Sequence, residues 1–107
     1  PLRDEGIMIV GSGLSFHNLR LPRGVGKAPS AEFDAWLYNA MLAAPDVRRQ
    51  AMLDWETAPA ARICHEEEDH LVPIFVALGA AEDEPAKRIY HHTSEMTGIT
   101  VSNYRFG

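Results

Sequence analysis

Two histidines lie in sequence settings that suit acid–base or metal chemistry. His17 belongs to the stretch GSGLSFHNLR, residues 11–20, which directly follows the apolar run at residues 7–10. His70 closes the acidic run HEEEDH, residues 65–70. Histidine is the side chain that titrates nearest neutral pH, and histidine with carboxylate suits Fe(II), Zn or Mn. These two histidines are therefore the first candidates for a functional site.

The glycines before His17 do not match the common nucleotide-binding or nucleophile motifs. A dinucleotide fingerprint requires a glycine where this sequence has Phe16, and neither a Walker A loop nor the G-x-S-x-G elbow is present. The glycines can form a simple tight turn at a strand end, or they can allow close approach of the backbone. Because α/β sheets bind ligands beyond the carboxyl ends of their strands, a functional role for His17 stays open.

The acidic run also has two interpretations. On a helix, Glu66 and Glu67 would share a face with His70 and could act with it. Alternatively, the run is a solvated acidic first turn, favoured by the helix dipole and without chemistry. His70 immediately precedes the apolar stretch LVPIF, which places it at the edge of a buried segment.

The remaining candidates offer weaker chemistry. Cys64 and His65 are adjacent, so their side chains point apart and form a poor nucleophile–base pair. His91 and His92 fall in a predicted strand and face opposite sides of it, so they do not reach one site together.

The elements that must position these residues follow from hydrophobic periodicity and capping signals, and they predict an α/β fold. A helix is predicted to begin with Ser30 as its N-cap, because apolar residues then recur at helical spacing. Its stripe comprises Phe33, Trp36, Leu37, Ala40, Met41 and Ala44. A second helix is predicted from Pro45 to about Trp55.

The rest of the chain is predicted to hold one further helix and three strands. The helix follows the acidic run over LVPIFVALGAA, with Pro73 tolerated in its first turn and Gly79 at its C-terminal cap. The strands are predicted at residues 7–10, 88–92 and 99–106. The predicted order is strand, three helices, then two strands.

Composition bounds the class of protein. The chain has 107 residues, 46% of them hydrophobic and 23% charged, which fits one small globular unit. Its net charge of −5 argues against a nucleic-acid surface, and no apolar run approaches the roughly 20 residues of a membrane span. A single cysteine favours a reducing compartment, so we expect a cytoplasmic protein.

Three blocks of the sequence together resemble a known enzyme family. They are IMIVGSGLSFHNLR, ARICHEEEDHLVPIFVALGAAED and the ending VSNYRFG. The combination resembles the C-terminal part of class III extradiol ring-cleaving dioxygenases, and within them the DOPA 4,5-dioxygenase-like subgroup. The fold expected from this resemblance is an α/β sheet with packed helices.

The resemblance implies a non-haem metal enzyme that opens the ring of a catechol-type substrate with O2. The metal is expected to be Fe(II), with Zn as the alternative, and it chelates the diol beside activated oxygen. His17 matches the family's catalytic acid/base histidine, and His70 matches a histidine of the metal centre. Glu68 and Asp69 match the acidic pair that can orient that histidine from behind.

The family's first metal-binding histidines lie in an N-terminal half that has no counterpart here. Residues 1–107 are therefore expected to be a single domain or fragment, the C-terminal part of a dioxygenase catalytic domain, and inactive alone. The expected partners are the substrate, O2 and the missing N-terminal half, with a homo-oligomer possible and no nucleic acid or membrane. The alternative is a stand-alone non-catalytic α/β binding or assembly module on the same scaffold.

Two structural expectations follow. The side chains of His17 and His70 should approach each other in one cleft at strand ends. The helix stripe should bury Phe33, Trp36, Leu37 and Met41, while part of that stripe or the strand edge at residues 7–10 lies exposed or self-associates.

Overall fold

Helices packed beside a two-stranded antiparallel sheet form the architecture, as the computed structural model describes it for residues 2–107. The predicted α/β class is confirmed. In chain order the elements are α1 (Lys27–Leu42), α2 (Pro45–Leu53), a 3₁₀ turn (Trp55–Thr57), α3 (Ala61–Cys64), α4 (Val72–Ala81), β1 (Ala86–Thr93) and β2 (Thr100–Phe106). Within residues 2–107, none of these helices has the length and apolar character needed to cross a membrane.

Helix α1 supplies the centre of the core, as its periodicity predicts. Phe33, Leu37 and Met41 are fully buried, and Trp36 is partly buried against the same cluster. They pack with apolar residues from the other segments, namely Phe16, Met52, Trp55, Cys64 and Leu71. The helix begins at Lys27 rather than after a Ser30 cap. Ser30 lies instead in the first turn, where its hydroxyl donates to the Lys27 carbonyl and accepts the Thr100 amide of β2 at 3.0 Å.

The two helix-opening prolines behave as predicted. Pro45 is the first residue of α2 and Pro73 lies in the first turn of α4, where a missing N–H removes no helical hydrogen bond. The predicted cap at Gly79 is wrong, because α4 continues to Ala81 and the chain turns at Glu82 with a φ of 54°. Arg48 stabilises this turn from the core, since its buried guanidinium donates to the carbonyls of Glu82 and Glu84.

The predicted strand at residues 7–10 does not form. The segment is irregular, and Met8 and Val10 are 82% and 71% exposed. A strand requires a neighbour to accept and donate its ladder hydrogen bonds, and β1 pairs with β2 instead. The predicted strands 88–92 and 99–106 correspond to β1 and β2, which pair antiparallel from Ala86 opposite Phe106 to Thr93 opposite Thr100.

Candidate functional site

The structure brings His17 and His70 together. The centroids of the two imidazole rings lie 3.5 Å apart, with 31° between the ring planes. Both residues are half-buried, so the ring pair has access to solvent. The predicted approach of the two histidines is confirmed. Their predicted setting at strand ends is wrong, because residues 7–10 form no strand.

His17 is placed by hydrogen bonds from residues 17 and 18 to the end of α3. The His17 amide donates to the Cys64 carbonyl at 3.0 Å, in a parallel bridge. Next to it, the side-chain amide of Asn18 donates to the Ile63 carbonyl at 2.8 Å. The Asn18 oxygen accepts the Arg20 amide, which turns the chain away after the site. Asn18 was not predicted as a positioning residue, although the turn-forming character of asparagine is a signal for it.

His70 is placed by the glycine-containing segment. The Leu14 amide donates to the His70 carbonyl at 2.9 Å. A Cβ on Gly13 would lie 2.4 Å from that carbonyl oxygen, and a Cβ on Gly11 would lie 2.4 Å from the Pro73 carbonyl oxygen. The two glycines therefore allow the backbone of the segment before His17 to pack closely against the backbone at the start of α4.

The acidic run forms a turn rather than the first turn of a helix. Residues 66–70 precede α4, whose first turn contains no acidic residue, so the proposed helical face shared by Glu66 and His70 does not exist. The carboxylates point to different partners. Glu66 pairs with Arg20 at 3.3 Å, Glu68 pairs with Arg62 at 3.1 Å, and an Asp69 oxygen lies 3.5 Å from Nε2 of His70.

Arg62 organises this turn from the neighbouring helix. Its guanidinium contacts Glu56 at 2.9 Å as well as Glu68, and it lies 4.7 Å from the centre of the Trp55 ring. The hydrogen bond from Arg62 lowers the pKa of the Glu68 carboxyl, so Glu68 is held in its charged form. Of the two predicted orienting acids, Asp69 contacts His70, and Glu68 binds Arg62.

An open groove of about 780 Å³ runs beside the histidine pair. His70 lines it, together with residues 6–15, the apolar side of α4 and part of β2. His17 is not among the lining residues and contacts the groove through the His70 ring. The groove therefore offers an apolar surface next to one imidazole of the pair.

The residues present do not form a complete metal site. Among residues 2–107, no group of three or more histidine, cysteine or acidic side chains is placed to hold a metal ion. His70, half-exposed and beside a carboxylate, fits the role of one ligand, because ligating histidines commonly contact an orienting carboxylate. A stable site requires further ligands from outside these residues.

A third histidine lies next to the pair, which sequence reasoning did not identify. His65 is fully buried, and its Nε2 lies 3.0 Å from the Ser15 carbonyl oxygen. Burial lowers the pKa of His65, the hydrogen bond to Ser15 opposes this effect, and the nearby His17 and His70 lower the pKa further. Nothing in the local sequence signals this contact, because it joins residues 50 positions apart.

The other reactive side chains have different partners, and the Cys64 thiol lies 3.3 Å from the Pro29 carbonyl oxygen. Burial raises the pKa of the Cys64 thiol to about 12, which makes it a poor nucleophile, as its sequence setting indicates. His91 faces α1, with Nδ1 3.3 Å from Asp34 and 3.0 Å from the Ser102 hydroxyl. His92 is exposed.

Comparison with known proteins decides the family. A family model described as the catalytic LigB subunit of aromatic ring-opening dioxygenase matches residues 1–107. The chain belongs to the LigB family. Its similarity to the DOPA 4,5-dioxygenase-like subgroup is confirmed as well, since several curated relatives carry that name.

Two plant relatives illustrate the match of this LigB-family chain. It is 38% identical over 114 residues to a 4,5-DOPA dioxygenase extradiol of Mirabilis jalapa. It is 33% identical over 110 residues to the protein of the same name from Beta vulgaris. Each alignment covers 99% of this chain but only 40% of the relative, so the chain spans less than half the length of these proteins.

Proposed function

We propose that the whole protein containing this LigB-family chain is a non-haem metal-dependent extradiol dioxygenase that opens the ring of a catechol-type substrate with O2. The observation that carries the proposal is the convergence of His17 and His70. Their ring centroids lie 3.5 Å apart although the two residues are far apart in the sequence. The family membership of the chain and the names of its relatives support the same reaction class.

His17 is proposed as the acid/base. Its backbone is fixed by the bond from its amide to Cys64, while its half-buried ring keeps access to solvent beside the His70 ring. Histidine is the side chain that proteins use most often for general acid–base catalysis, so at this position it can take a proton from a substrate hydroxyl or return one.

His70 is proposed as one ligand of the metal, Fe(II) as the first expectation and Zn as the alternative. Asp69 orients its ring directly. Glu68 acts on His70 indirectly, because its ion pair with Arg62 restrains the turn that precedes His70. When bound, the metal supplies chelation of the diol and activation of oxygen. Because the described residues provide no three-ligand set, the remaining ligands are proposed to come from the rest of the polypeptide.

The apolar surface around the groove supports an N-terminal portion as the partner of this chain. Helix α4 is apolar throughout, yet of its ten residues only Ala81 is buried. A helix that is apolar on all sides is normally enclosed by protein. We propose that residues of the longer polypeptide cover α4 and the exposed segment at residues 7–10, and that residues 1–107 alone are inactive.

The test compares His17→Ala and His70→Ala in the whole protein. Ring opening of a catechol under air is followed by the absorbance of its yellow product, and bound iron and zinc are measured in parallel. His17→Ala should lower turnover by roughly 10²–10⁴-fold with metal content retained, because an acid/base does not hold the ion. His70→Ala should lose metal as well as turnover. His92→Ala, on an exposed strand position, is the matched control and should keep both.

Full activity in both variants would refute the assignment, and loss of metal in His17→Ala with retention in His70→Ala would exchange the two roles. A second candidate is a non-catalytic binding or assembly module, which is favoured by the lack of a three-ligand set within residues 2–107 and by the exposed apolar surface. It predicts a whole protein that binds no stoichiometric metal and turns over no catechol.

A further inference from the structure

His65 occupies a place in the core where an apolar side chain would be the ordinary choice. Its ring is fully buried and packs edge-on against Phe33 and Trp55, with centroids 5.2 and 6.1 Å away. The proposed reaction assigns it no role. A polar ring in such a place destabilises the fold unless its hydrogen bonds are made.

The hydrogen bond that His65 makes fixes its tautomer. The Ser15 carbonyl, 3.0 Å from Nε2, can only accept, so Nε2 carries the hydrogen. Nδ1 is then the bare nitrogen of a neutral ring, and it is buried with no hydrogen-bond partner in the part of the chain that the structure describes. Of the two ring nitrogens, Nδ1 is thus unused, and Nε2 donates its hydrogen to the Ser15 carbonyl.

That carbonyl belongs to the segment that carries His17. Residue 15 is held by the His65 side chain, and residue 17 is held by the Cys64 carbonyl through its amide. The Ser15 hydroxyl is also engaged, since it accepts the Ser102 amide of β2 at 3.0 Å. Cys64, the last residue of α3, and His65, its C-cap, therefore hydrogen-bond the backbone on both sides of Phe16. These bonds fix the backbone from which the His17 side chain extends toward His70.

We propose that His65 is a positioning residue for His17: its Nε2–H holds the Ser15 carbonyl and so fixes the direction in which the His17 ring leaves the backbone. The inference rests on the proposed function, in which His17 acts on the substrate. Without this bond the segment can shift while the bridge to Cys64 persists, and a displacement of about 1 Å at an acid/base can cost about 10²-fold in rate.

The test is a pair of amide replacements in the whole protein. His65→Gln places a side-chain NH2 close to the position of Nε2, whereas the shorter His65→Asn places it near Nδ1, out of reach of Ser15. His65→Asn should lower kcat on a catechol by roughly 10–100-fold with KM within about twofold. His65→Gln should restore most of kcat. Met52→Ala, a truncation elsewhere in the same core, is the control, with lower stability and unchanged kcat.

Equal kcat values for His65→Asn and the unmodified protein, or for His65→Asn and His65→Gln, would overturn the proposal. If His65→Asn does not fold, His65→Leu, which leaves no polar atom in the core, replaces it in the same comparison. If the unmodified protein opens no ring, the proposed function fails, and hydrogen exchange at the His17 amide then decides this inference separately. Faster exchange in His65→Asn than in His65→Gln supports the positioning role, and equal exchange overturns it.

Discussion

His65 shows how one buried side chain links the core to the candidate site. Its neutral ring donates to Ser15, and its unprotonated Nδ1 has no partner to receive an added hydrogen bond. Protonation would place a charge among Phe33 and Trp55 and near two further imidazoles, His17 and His70. The pKa of His65 is therefore lowered from its ordinary value of 6.5, with burial as the main cause.

This lowered pKa predicts a loss of stability in acid. The unfolded chain binds a proton at His65 near pH 6.5, while the folded chain binds it only at lower pH. Between these two pKa values the unfolded state holds more protons, so the free energy of unfolding should decrease as pH falls below about 6.5, by at most about 1.4 kcal/mol per pH unit for this one group. Urea unfolding between pH 7.5 and pH 5 measures the slope. His65→Gln should show a shallower slope, and an unchanged slope would contradict the assignment.

At the scale of elements, the site depends on how closely the segment around Gly13 approaches α4. The Leu14 amide donates a hydrogen bond to the carbonyl of His70, two residues before α4. Space for that bond exists because Gly13 has no side chain. Gly13 is therefore needed because two backbones approach closely at this position, and not because the chain needs a flexible residue there.

Two glycine-to-alanine replacements should therefore have opposite effects. Gly13→Ala places a methyl 2.4 Å from the His70 carbonyl oxygen and 2.8 Å from the Pro73 ring, so we expect it to destabilise the protein by about 1–3 kcal/mol and to separate the imidazoles. Gly79→Ala, inside α4 with open space around it, should stabilise by about 0.5–1 kcal/mol. Urea unfolding of the two variants measures both effects, and a neutral Gly13→Ala would show that the contact is not tight.

The elements that could be predicted from sequence are those whose signal is local. The periodic stripe of α1 and the first-turn prolines depend on residues a few positions apart. The prolines and the buried part of the stripe are confirmed, but α1 begins at Lys27 and ends at Leu42, so Ala44 lies outside it. The segment at residues 7–10 has the composition of a strand, but strand formation depends on a partner that β1 and β2 do not provide. The acidic run does not open a helix as predicted, because its carboxylates bind arginines outside the run: Glu66 pairs with Arg20 and Glu68 pairs with Arg62.

The candidate site was predictable only in part, for the same reason. The motif blocks indicated that His17 and His70 act together, and the structure places their rings in contact. The bonds that hold the pair in place join segments far apart in sequence. The bonds from His65 to Ser15 and from Asn18 to Ile63 leave no periodic pattern in the sequence from which they could be predicted.

At the scale of the whole molecule, the groove beside His70 is bordered by exposed apolar side chains. Met8 and Val10, which line the groove, are 82% and 71% exposed. Contiguous apolar surface of this kind usually marks an interaction site. The predicted exposure of residues 7–10 is confirmed, although the segment forms no strand edge, and the α1 stripe is largely covered.

This region predicts self-association of the 107-residue chain when it is produced alone. Sedimentation velocity should show larger species as concentration rises, because association removes apolar surface from water. The double variant Met8→Lys with Val10→Lys should shift the distribution toward monomer. Leu53→Lys, at a 69% exposed position on α2, is the matched control and should leave association unchanged. A chain that stays strictly monomeric would contradict the interpretation of this surface as a covered interface.

The bridge between residues 15–17 and residues 64–65 has a consequence for the order of folding. It closes a loop 50 positions long, whose entropic cost is recovered only once the helices within the loop have packed. We therefore expect the paired imidazoles to come together late, after the core around α1 has packed, and His17 and His70 to stay apart in a half-folded chain. Pulsed hydrogen exchange during refolding should protect α1 amides before the His17 amide. On this expectation, the candidate site forms only when folding is nearly complete, and a partly folded chain cannot carry out the chemistry proposed for the pair.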